Sequence, residues 1–106
     1  MTGPARISAR ALVVASDPHS RDLLTLSLRL AGCDVATARS GVEALNAAWS
    51  QRLDLLVLDP DLPDLDGHEV ARILRRDGPD IPVVFAARPL RLEAVVGEAR
   101  LHLTTW

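Results

Sequence analysis

The sequence predicts a single α/β domain in which a parallel sheet is covered by helices on both faces. Two observations lead there. The runs 11–15 and 55–58 are apolar without alternation, the pattern of strands buried on both faces. Between such runs lie segments with apolar residues at helical spacing, each opened by a capping residue, so strands and helices alternate. At 106 residues the chain has room for one core.

Residues 1–10 hold two arginines and no apolar signal core, and are expected to be a disordered lead into a domain over 11–106. The first strand, 11–15, ends in Ser16, Asp17 and Pro18. Asp17 can cap a helix whose first position Pro18 fills without losing a needed N–H. Leu23, Leu24, Leu28 and Ala31 give that helix its apolar face, and Gly32 stops it. Val35 and Ala36 sit in a second strand. Ser40 and Glu43 have capping-box spacing and open a helix whose apolar face is expected to be Val42, Leu45, Ala48 and Trp49. Trp49 is expected in the core.

The strand 55–58 delivers Asp59 at its carboxyl end, and 60–67 is a loop. Asp66 and Glu69 repeat the capping spacing, with Val70, Ile73 and Leu74 as the buried side of a third helix. Gly78 and Pro79 end it. Residues 81–87 read as a fourth strand and 92–99 as a short helix. The alternation in 101–105 reads as a fifth strand. In sheets of this kind the ligand crevice lies at the carboxyl ends of the strands, which gathers Ser16, Asp17, Asp59 and Ala87.

The 12 basic and 14 acidic residues leave a net charge of −2, so nothing draws the chain broadly to nucleic acid or anionic membrane. Cys33 is the single cysteine, which excludes an internal disulfide and any multi-cysteine metal site. No apolar run approaches a membrane span, and a cytoplasmic location is expected. All 12 basic residues are arginine.

The segments ALVVASDPHSRDLLTLSLRLAGCDV and DLLVLDPDLPDLDGHEV resemble the receiver domain of bacterial two-component response regulators. The second segment carries the more specific pattern: an apolar strand ending in Asp, a Leu-Pro three residues on, and an Asp-Gly leading into a helix. The resemblance implies a flavodoxin-like, doubly wound sheet of five strands in the order 2-1-3-4-5, with the usual final helix missing from this chain. It makes Asp59 the phosphoacceptor position. It also implies an acidic pair holding magnesium, a hydroxyl after the fourth strand, and a lysine and an aromatic switch on the fifth. Those positions align here with Ala15 and Ser16, Ala87, Thr105 and His102.

Every supporting group is thus replaced, and the sequence has no lysine to substitute. Pro60 removes a backbone N–H after Asp59, and Asp61 adds negative charge at the pocket mouth. Asp17, Asp59 and Asp61 are weak candidates for a loosely held Mg²⁺; no resident cofactor is expected. His19, His68 and His102 show no ligand spacing, and Arg72, Arg75 and Arg76 read as a solvated edge. The expected function is a non-enzymatic, atypical receiver that works by contact with a signalling partner, a histidine kinase or an output domain. If the last helix is missing, the exposed sheet favours self-association. Two alternatives stay open: phosphorylation of Asp59 by a histidine kinase, and a small flavodoxin-like ligand binder. The first loop has no glycine to cradle a phosphate, which weakens the second.

Overall fold

A computed structural model describes residues 9–103. Four parallel strands, β1 (Arg10–Val14), β2 (Asp34–Ala38), β3 (Leu55–Leu58) and β4 (Val83–Phe85), form one sheet in the order β2-β1-β3-β4. Four helices alternate with them: α1 (Pro18–Leu30), α2 (Gly41–Ser50), α3 (Gly67–Asp77) and α4 (Leu92–Leu103). Arg10 belongs to β1 and so does not fall in the lead expected over 1–10; residues 1–8 lie outside the described residues.

The inner strands are apolar on both faces because each face has its own core. Ala11, Val13, Leu55 and Val57 point to α1 and α4, joining Leu24, Leu28, Val95 and Ala99. Leu12, Val14, Leu56 and Leu58 point to α2 and α3, joining Ala44, Ala48, Val70 and Leu74.

The helix starts are built as their sequences dictate. Asp17 accepts the Ser20 N–H at 3.1 Å and the Ser20 hydroxyl at 2.8 Å, with Pro18 opening α1. Ser40 Oγ accepts the Glu43 N–H at 3.2 Å, and the Glu43 carboxylate accepts the Arg39 N–H at 3.2 Å. Asp66 caps α3 by accepting the His68 N–H at 2.7 Å. Gly32, at φ 101°, supplies the left-handed turn that stops α1.

The C-terminal third departs from expectation. Residues 101–103 continue α4, so the described sheet has four strands, and the predicted fifth is absent from it. Leu92, Val95, Ala99 and Leu103 all pack on the α1-side cluster. This helical stripe outweighs the short alternation that suggested a strand. The sheet face expected to lack a final helix is therefore covered, by α4 packed beside α1.

The buried face of α2 is also rotated from the expected one. Gly41, Ala44 and Ala48 are buried, whereas Val42 and Trp49 are each 52% exposed. Small residues face inward because α2 lies close to the β3–α3 loop: a Cβ on Gly41 would stand 2.8 Å from Leu65 Cβ. A tryptophan has no room on that face.

Candidate functional site

The site is assembled at the carboxyl ends of β1, β3 and β4. The Asp59 N–H donates to Val14 O at 2.9 Å, and the Ala86 N–H donates to Leu58 O at 2.9 Å. These bonds hold Asp59 between the ends of its two neighbouring strands. Asp59 is the one buried charged residue among those described, at 3% exposure. Its Oδ1 accepts the Asp61 N–H at 2.8 Å, which partners one oxygen of a desolvated carboxylate.

The loop that carries Asp59 is fixed at its far end. The Gly67 N–H donates to Pro60 O at 2.9 Å, and a Cβ on Gly67 would fall 2.6 Å from Asp59 O and 2.7 Å from Pro60 Cα. Only glycine permits α3 to start this close to the strand end. The Asp-Gly of the sequence pattern is thus a cap followed by a close approach.

Ala15 is fully buried and Ser16 is exposed, so the end of β1 offers no carboxylate. Asp17 is turned into the α1 cap. Hydrogen bonds from the Ser20 hydroxyl and N–H hold its carboxyl below the usual value, and the nearby Arg88 charge acts in the same direction. The Asp61 side chain is exposed beyond the loop backbone. Ala87 lies just past β4 and is exposed.

His102 sits in the last turn of α4, not at a strand end as the sequence alignment supposed. Thr105 lies outside the described residues. The structure therefore brings Ala15, Ser16, Asp17, Asp61 and Ala87 to the Asp59 end of the sheet and places His102 in a different element.

Two arginines at this end were not singled out from sequence. Arg21 Nη1 donates to Ala15 O at 3.0 Å and to Ser16 O at 3.4 Å, closing the carbonyl end of β1. Arg88 follows β4 directly, at a cis Arg88–Pro89 peptide, and acts electrostatically on Asp17. The signal for Arg88 was its place after the last apolar run. It was obscured by reading a further strand beyond it.

The donor set does not fit a divalent cation. A magnesium shell needs several oxygens facing one point. Here Asp59 bonds a backbone amide, Asp17 caps α1, and no group of three or more His, Cys, Asp or Glu among the described residues is placed to share an ion.

A parallel α/β sheet with a buried aspartate at the end of an inner strand, followed by a glycine-tightened turn into a helix, defines a receiver-type signalling domain. The chain belongs to the response-regulator family, whose receiver-domain model matches residues 11–100. It is 47% identical over 92 residues to response regulator MprA of Mycobacterium bovis (strain BCG / Pasteur 1173P2), an alignment covering 86% of this chain and 40% of that protein. MprA of Mycobacterium avium (strain 104) is 47% identical over 89 residues, covering 83% and 39%. The chain thus spans about two fifths of the length of these relatives.

Among solved structures, the receiver domain of Francisella response regulator 1452 superposes with a TM-score of 0.83 at 20% identity, covering 90% of this chain and 96% of that one. At that identity the likeness shows the fold. Response regulator TrrA of Thermotoga maritima, solved with Mg²⁺ and BeF, gives a TM-score of 0.71 at 35% identity, covering 74% and 69%. Among the described residues no helix is long and apolar enough to cross a membrane.

Proposed function

We propose that this chain is an atypical receiver that signals by protein contact, without phosphorylation of Asp59, in a cytoplasmic two-component setting. One observation carries the reading: the Asp59 carboxylate is buried between strand ends that bear alanine and serine where phosphoryl transfer would need metal ligands and a hydroxyl. Phosphoryl transfer between anions depends on neutralising charge in the transition state, and each missing contact lowers the rate by orders of magnitude. The strand end, loop and helix start that present Asp59 keep their hydrogen bonds, which suits a surface read by a histidine kinase or an output domain. Self-association belongs to the same reading.

The test is incubation with magnesium and a small phosphodonor, followed by intact mass. Unmodified protein is the expected result. Stoichiometric addition of one phosphoryl group, lost in Asp59→Asn, would overturn the reading. It would favour the second one, in which a histidine kinase phosphorylates Asp59.

A further inference from the structure

We propose that the outer edge of β4 pairs with the same edge of a second copy of this chain, antiparallel, about a two-fold axis through Val84. The proposal rests on reading the chain as a module that acts through protein contacts, and it names the surface and the occupant.

The backbone fixes which groups are free. Leu56 N–H donates to Pro82 O at 2.9 Å, and Ala86 N–H donates to Leu58 O at 2.9 Å, so Pro82 and Ala86 turn their polar groups toward β3. By the alternation of a strand, Val84 does the same, and Val83 and Phe85 direct both N–H and C=O outward. No described strand lies on that side. The edge also lacks the usual guards. It bears no charge and no bulge, and the N–H missing at Pro82 belongs to the inner side.

One register of this edge against itself bonds every outward group of the strand. With the axis through Val84, Val83 of one copy stands opposite Phe85 of the other. Each pair exchanges two hydrogen bonds, so all four outward N–H and C=O groups of each edge are bonded. A shift of one residue would set outward groups against inward ones. The operation closes on itself and makes a dimer, not a fibre.

Three residues of strand are a short contact, and the surface beside them extends it. A groove of about 180 Å³ runs between β4 and α4, lined by Phe85, Ala87, Pro89, Arg91, Val95 and Glu98. Arg91 immediately precedes α4, and Glu98 lies seven positions on, about two turns along the helix. The same two-fold operation sets the α4 helices antiparallel, so Arg91 of each copy meets Glu98 of the other. The exposed Ala94 lies midway, where a small side chain lets the helices approach.

The experiment is the mass of the full chain by sedimentation equilibrium from low micromolar to millimolar concentration, with variants. The wild type is expected to rise toward twice its monomer mass. Val83→Pro removes an outward N–H and leaves the β3–β4 ladder whole; it is expected to stay monomeric with an unchanged far-ultraviolet circular dichroism spectrum. Arg91→Glu and Glu98→Arg singly are each expected to weaken the dimer about tenfold or more, and together to restore it. A strict wild-type monomer would overturn the proposal, as would a dimer that survives in folded Val83→Pro. If Val83→Pro fails to fold, the charge exchange decides: no weakening in the single reversals overturns it. The phosphodonor experiment is read on Asp59 by mass, so the two proposals fail separately.

Discussion

Asp64 holds the amino end of α2 from the β3–α3 loop: its Oδ1 accepts the Gly41 N–H at 2.8 Å, across 23 positions of sequence. Its Oδ2 accepts the Val42 N–H at 2.9 Å, and Oδ1 also takes the Leu65 N–H at 2.8 Å. One carboxylate thus satisfies two unpaired donors of the helix and anchors the loop that carries Asp59. The bonds from Val42 and Gly41 hold the Asp64 carboxyl below its ordinary value of 3.8. Replacing Asp64 by Asn is expected to lower the thermal midpoint more than Asp61→Asn does, because the exposed Asp61 side chain caps no helix. Paired melting curves at neutral pH check this.

Acid sensitivity follows from the same geometry. Asp64 and Asp17 both have folded-state values below the ordinary 3.8. Their contribution is therefore fully present above that value and is lost as pH falls through the lower folded-state values. Melting midpoints measured from roughly pH 5 down to pH 2 should fall along this range. The slope should be shallower in Asp64→Asn and in Asp17→Asn. Equal slopes in all three proteins would contradict the assignment.

Two glycine substitutions should have opposite signs. Gly67→Ala places a Cβ 2.6 Å from Asp59 O and should destabilise by about 1–3 kcal/mol, since backbone must move. Gly97, inside α4, has nothing within 4 Å of an added Cβ, so Gly97→Ala should stabilise by about 0.5–1 kcal/mol. Urea midpoints of the two variants against the wild type give both values.

Burial, not size, should rank the apolar substitutions. Leu24 is 1% exposed and Trp49 is 52% exposed. Leu24→Ala should cost about 2–5 kcal/mol. Trp49→Ala, although it removes more atoms, should cost less than Leu24→Ala because about half of its surface is already in water. Equilibrium unfolding distinguishes the two.

Thr25 Oγ1 is buried with no hydrogen-bond partner among the described residues. Thr25→Val keeps the shape of the side chain and removes the unpaired hydroxyl, so it should leave stability unchanged or raise it by about 1 kcal/mol. A loss of that size would show that the hydroxyl is paired.

The first three strands, the first three helices and their caps were legible in sequence because their signals are local. Asp17 with Pro18, Ser40 with Glu43, and Asp66 each announce a helix start within a few residues. Asp59 was legible for the same reason, at the end of a run that could only be a buried strand. The cap that Asp64 gives α2 was not, since nothing near Asp64 refers to Gly41. The end of the chain was misread because 101–105 alternates over so few positions that it competed with a longer helical stripe from Leu92 to Leu103. Trp49 was misplaced by hydrophobicity alone. The space beneath α2 is set by Leu65 and Val70, which admit only small residues.

The two cores on either side of β3 give Asp59 a role in folding. Leu55, Leu56, Val57 and Leu58 are all fully buried, alternating between the cores, so neither face of the strand is marked as inner or outer. A slip by one residue would exchange the two sets with little hydrophobic penalty. What forbids it is the pair of carboxylates that bracket the run. Asp54 accepts the Arg10 N–H at 2.8 Å at one end, and Asp59 takes the Asp61 N–H at the other. Sliding β3 by one residue either way would put a charge in a buried end position of the strand, opposite Ala11 or Val14. The four-residue interval between the aspartates works as a ruler for the strand, and it gives a chain of this kind reason to keep Asp59 whether or not the residue ever carries a phosphoryl group.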